Sequence, residues 1–148
     1  MCDYSLHNVA SRPAKVGDRL VIKSFWNTCT RGFAAVDDPL VAVCLLPGSE
    51  LAFEDDVERE RPFPPFRRKE HTGNLARFRR VNTDNPFTHH DAIELADGKI
   101  LLLTVLRKGQ KATVLQLPAG GQKRHEPAEV EANSRTTHVI RTSMAYAY

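Results

Sequence analysis

Between residues 19 and 117 the chain breaks into seven short β-prone runs, and that punctuation constrains the fold more than any other feature. The runs are RLVIKSF (19–25), RGFAAV (31–36), LVAVCLL (40–46), ELAF (50–53), DAIEL (91–95), KILLLTVL (99–106) and ATVLQL (112–117). All are rich in β-branched, aromatic or other apolar residues, and turn chemistry sets them apart: Gly17-Asp18, Asp37-Asp38-Pro39, Pro47-Gly48, Asp97-Gly98 and Lys108-Gly109. Asp97-Gly98 is a short-hairpin signal, because a type I′ turn takes positive φ at both central residues. No segment ahead of the C-terminal tail carries a 3.6-residue apolar rhythm over three turns. The sequence predicts an all-β fold, a small barrel or compact sandwich of about seven strands.

Two runs, 40–46 and 99–106, are apolar at consecutive positions rather than alternating. Both faces of such strands must be covered, which places them centrally in a closed barrel or between layers. They also hold matching places in a repeated order of strand, acidic turn, apolar strand, Gly turn and strand. The offset grows from 58 residues (Thr30 to Thr88) to 61 (Gly48 to Gly109), with Asp38 matching Asp97 on the way. An internal duplication produces this pattern, and so does a recurrent β-meander. The expected organisation is one β domain over 1–118. Its halves, 15–56 and 76–118, are joined by a Pro/Arg-rich loop (57–75), and a C-terminal tail covers 119–148.

Composition bounds the rest. The 41% hydrophobic and 26% charged content is that of a globular chain, and no metal or disulfide staple is needed at 148 residues. Its longest apolar run, Ile100–Leu103, is far too short for a membrane helix, and the N-terminus has no secretory pattern. Three cysteines without CxxC spacing argue against a disulfide framework and fit a reducing, cytoplasmic setting. Cys44, inside an apolar run, reads as a packing residue.

Chemistry concentrates in NPFTHHDAIEL (85–95). In a regular strand His89 and Asp91 share a face with Ile93 and Leu95, and His90 shares the other with Ala92 and Glu94. His89, His90 and Asp91 are therefore candidate ligands for a divalent transition metal, and His89 with Asp91 a candidate base and its orienter. The competing reading is a polar strand entry whose side chains cap the preceding turn. His90, Glu94 and Gly98 are loosely similar to the cupin metal signature, His-x-His, then Glu, then Gly, with PAGGQKRH (118–125) near its second half. The His-x-His pair is absent, and the family is not assigned. In the repeat, His89, His90 and Asp91 match Arg31, Gly32 and Phe33.

Cys2 is the second candidate. Removal of Met1 would leave a terminal cysteine whose amine can serve as base for its own thiol. The Met-Cys start is similar to that of class II glutamine amidotransferases and of the SRAP self-crosslinking domains, over two residues.

The third is basic. Residues 57–80 hold 8 basic and 3 acidic side chains, +5 within a chain of net +3. Arg67, Arg68, Arg77, Arg79 and Arg80 with Phe66 form a candidate partner-binding set. Arginine with aromatics suits single-stranded nucleic acid, and equally an acidic protein surface or plain solvent. The acidic stretch 50–58 is an internal partner for it. Two functions follow as expectations. The first is a non-catalytic binding or assembly protein, with a protein partner or a homo-oligomer, acting through this loop and the tail. The second is a small metal- or cysteine-dependent enzyme using Cys2 and the His/Asp cluster.

Overall fold

Period-two alternation is obeyed on strand after strand: Leu20 and Ile22, Phe33 and Ala35, Leu51 and Phe53, Ala76 and Phe78, Ile93 and Leu95, Ala112 and Val114 all enter one core cluster. A computed structural model describes residues 8–26, 28, 30–60 and 72–119. Its nine strands are β1 (Ser11–Pro13), β2 (Arg19–Ser24), β3 (Arg31–Ala35), β4 (Ala42–Cys44), β5 (Glu50–Phe53), β6 (Leu75–Arg80), β7 (Asp91–Leu95), β8 (Ile100–Leu102) and β9 (Lys111–Gln116). The all-β expectation holds, with nine strands in place of about seven. The two added are β1, at an edge, and β6, whose arginines had been grouped with the basic loop.

The strands form one mixed sheet in the order β1-β4-β3-β2-β9-β5-β6-β7-β8. No strand pairing among the described residues closes it, so there β1 and β8 are edges and an open sheet stands where a barrel or sandwich was expected. That sheet is nonetheless curled. A 3-10 turn (Leu103–Val105) following β8 touches both β3 and β7, which have four strands between them in the order. Arg31 at the start of β3 donates to the Leu106 carbonyl and pairs with Glu60, fastening the two wings. The apolar run 99–106 thus does not continue as a strand. Breaking into a turn after Leu102 brings Leu101, Leu103 and Leu106 all to the core, which a straight strand could not do.

Leaving β1 aside, exchanging β2, β3, β4 and β5 for β6, β7, β8 and β9 reverses the sheet order onto itself. The registers agree. Leu20↔Ala35, Ile22↔Phe33 and Ser24↔Arg31 in one half correspond to Ala76↔Leu95, Phe78↔Ile93 and Arg80↔Asp91 in the other. The first half's Gly48 donates to Phe78 O (2.8 Å) and Phe78 donates to Ser49 O (2.8 Å). Correspondingly, Gly109 donates to Ile22 O (2.8 Å) and Ile22 donates to Gln110 O (2.9 Å). The halves share one topology, with β5 and β9 pairing along the pseudo-dyad. This register sets Arg31 against Asp91 and Thr30 against His90, correcting the match of Arg31 with His89.

Candidate functional site

The connections 25–30 and 81–90 meet where Thr30 Oγ1 lies 3.1 Å from His89 Nδ1. The second of them is built by its own side chains. Asn85 Oδ1 accepts from the Phe87 amide (3.0 Å), Thr88 Oγ1 donates to Asn85 O (3.0 Å), and Asn82, at φ 54°, donates through Nδ2 to His89 O (3.3 Å). An Asx turn followed by a fixed-φ proline is what Asn-Pro dictates, and it leaves Phe87 pointing away from the protein. In the first connection Thr28 Oγ1 donates to Phe25 O (3.0 Å) and Thr30 O (3.2 Å), so Trp26 is carried outward. Trp26 is 89% exposed and Phe87 85%.

Beneath these aromatics the polar groups are buried. Among the described residues only Thr30, Ser49, His90 and Asp91 are buried polar or charged side chains, and three of the four belong to this meeting point. The Val81 amide donates to His90 O (2.9 Å), and His90 Nδ1 donates back to Val81 O (2.9 Å). The ring thereby stands in for a backbone amide and prolongs the β6–β7 ladder by one residue. Strand alternation begins only at Asp91, which takes the core-facing side opposite Arg80. So His90 (6% exposed) is the more buried histidine, while His89 is half-buried with its Nδ1 3.1 Å from Thr30 Oγ1. Among the described residues no three His, Cys, Asp or Glu side chains gather as a metal site.

The other candidates divide. Arg77 Nη2 pairs with Glu50 (3.0 Å) and Arg79 with Glu94, each across neighbouring strands on the outer face of the sheet. Arg80 is half-buried, and its Nε is enclosed without a hydrogen-bond partner among the described residues. The acidic stretch 50–58 is also tied to the domain elsewhere, with Glu54 on Arg19 (3.0 Å) and Glu58 on Arg107 (2.6 Å). A cleft of about 350 Å³ lies between Phe53–Glu58 and Arg107–Lys111, acidic on one wall and basic on the other. Cys2, Phe66, Arg67 and Arg68 lie outside the described residues, as does the tail beyond Ala119.

Cys44 departs from its expected role. It is half-buried and disulfide-bonded. The odd cysteine count concealed this, and with it goes the ground for reading a reducing environment. No described helix is long and apolar enough to cross a membrane. No protein-family model, curated protein or solved structure matches the chain.

Proposed function

We propose that this chain is a non-catalytic binding or assembly protein, and that Trp26 and Phe87 are part of the surface that meets its protein partner. The observation carrying the reading is that two large aromatics stand exposed on loops pinned together by the Thr30–His89 contact. Large aromatics are enriched at interface hot spots, where rigid anchors fill a partner's pocket at small entropic cost. The hydrogen bonds beneath them hold these loops in shape: His90 completes a ladder and His89 meets Thr30. Arg77 and Arg79, engaged by Glu50 and Glu94, belong to the sheet more than to a partner. Phe66, Arg67, Arg68 and the tail remain part of the proposed contact surface. A cytoplasmic setting is compatible with the Cys44 disulfide if that bond responds to redox state, as cytosolic disulfides usually do.

Trp26 is the chain's single tryptophan, so its emission reports on this surface alone. Sedimentation velocity and tryptophan emission across a concentration series test self-association, and quantitative affinity capture tests other partners. The expected result is a blue shift on engagement. A Trp26→Ala/Phe87→Ala variant should lose association while keeping its melting temperature. Unchanged association and unchanged captured proteins in that variant would refute the proposed surface.

A further inference from the structure

We propose that β8 is a docking edge for an extended segment of a partner protein, which adds to the sheet in parallel as β1 adds to β4. The inference is independent of the Trp26–Phe87 reading and follows from the internal repeat. Ala34↔Ala42 on β3 and β4 corresponds to Glu94↔Ile100 on β7 and β8, so Ala42, Val43, Cys44 and Leu45 match Ile100, Leu101, Leu102 and Leu103. Burial agrees with that register: Val43 and Leu45 enter the core, and so do Leu101 and Leu103.

On β4 the outer ledge is covered. Ala42 N donates to Ala10 O (2.8 Å) and Ala14 N donates to Cys44 O (3.0 Å), flanking a parallel pairing in which Arg12 lies against Val43. Val9, at the head of the added segment, packs on the Phe25–Ala34–Ala42 cluster. On β8 the matching ledge is open among the described residues. Leu95 N donates to Lys99 O (2.9 Å) beside the Glu94↔Ile100 pair, so Leu101 turns its amide and carbonyl toward β7 while Ile100 and Leu102 turn theirs outward. The Leu102 carbonyl is committed to the first bond of the 3-10 turn that this residue caps. The Ile100 amide and carbonyl and the Leu102 amide find no hydrogen bond among the described residues. The Ile100 side chain is 51% exposed, where Ala42 in the matching place is fully covered.

The two edges of the sheet also differ in how they are guarded. In the β1 segment Ala10 and Ala14 face β4, so Ser11 and Pro13 face away, and Pro13 has no amide to offer a further strand. β8 reads Ile-Leu-Leu, with neither proline nor charge. An apolar edge without such guards is a template for an added strand. The covered half defines the occupant. It is an extended chain running in the direction of β8, with an aliphatic residue to lie on Ile100. Its main chain supplies one carbonyl to the Ile100 amide, one amide to the Ile100 carbonyl and one carbonyl to the Leu102 amide.

The probe is a capped synthetic peptide of the sequence NVASRPA, residues 8–14, titrated into the intact chain and followed by amide chemical shifts. Saturable shifts at Ile100 and Leu102 are expected, with residues 42–44 unmoved. N-methylation of the peptide's arginine removes the amide that the Ile100 carbonyl accepts, and should abolish the shifts. N-methylation of its serine, which faces away, should leave them. Ile100→Lys places a charged guard at an exposed position and should weaken binding roughly tenfold without lowering the melting temperature. The Trp26→Ala/Phe87→Ala variant should bind the peptide as wild type does, which separates this edge from the aromatic surface. The absence of saturable shifts at β8 would overturn the proposal. So would shifts at residues 42–44, which mean that the probe displaces β1. Self-association that Ile100→Lys abolishes would also overturn it, by making a second copy the occupant.

Discussion

Gly48 and Gly109 do the same work 61 residues apart: each has a strongly positive φ, 96° and 86°, and each amide donates a 2.8 Å hydrogen bond to a strand of the opposite half. Gly48 reaches Phe78 and Gly109 reaches Ile22, both fully core residues, so the two turns lock the halves reciprocally. A side chain at such φ is strained, and beside Gly48 an added Cβ would also meet Pro118 at 3.6 Å, ordinary contact. Backbone strain alone therefore sets the cost. Gly48→Ala and Gly109→Ala should each destabilise by about 1–2 kcal/mol. Urea denaturation should show similar drops for both, and a large difference between them would break the equivalence.

The glycine match was readable in the sequence because turn chemistry is local. β5 and β7 occupy the residues their patterns predict, for the same reason: ELAF and DAIEL carry short, bounded runs. β6 was hidden by composition. In LARFRR, Ala76 and Phe78 go inward while Arg77 and Arg79 go outward, yet the arginines resemble the Pro/Arg-rich stretch before them. β1 was unreadable because a three-residue strand exists only through its non-local pairing with β4. The site divides the same way. The reactive residues of NPFTHHDAIEL were visible, but Thr30 carries no signal of its own, since its partner His89 is 59 residues distant. The disulfide at Cys44 depends on spatial approach that no spacing in this chain announces.

The Thr30–His89 contact should behave as a structural tie between the two aromatic-bearing loops. Thr30 is 1% exposed, so Thr30→Val preserves shape while deleting the hydroxyl. A loss of about 1–2 kcal/mol is expected from leaving a polar group without that partner. A double-mutant cycle with His89→Ala should then show the two changes to be strongly non-additive. Additivity would mean that the contact contributes nothing.

If Arg77 and Arg79 belong to the sheet, their removal should be felt there and only weakly. Cross-strand pairs of this exposure contribute about 0.2–1 kcal/mol. Arg77→Ala and Arg79→Ala should lower the denaturation midpoint slightly, in a salt-sensitive way, and leave partner association within error of wild type. A large loss of association from either would return these arginines to the binding surface.

Acid should act first where the edge meets the sheet. Asp18 is half-buried, and burial alone would raise its pKa, but the Arg12 guanidinium at 2.7 Å and the Lys15 amide at 2.8 Å outweigh it. Its carboxyl is therefore held below the ordinary carboxylate range, while Arg12 is raised, chiefly by the same hydrogen bond. A depressed folded-state pKa gives a contribution fully present above the unfolded value, near 3.9, and lost as pH falls through the folded one. Because Arg12 lies in β1 and Asp18 just before β2, that loss loosens the β1 edge of the sheet. Asp18→Asn should cost about 1 kcal/mol at neutral pH and flatten the acid limb of stability below about pH 4, measured by urea denaturation at stepped pH. An acid limb equally steep in wild type and variant would show that this ion pair does not govern it.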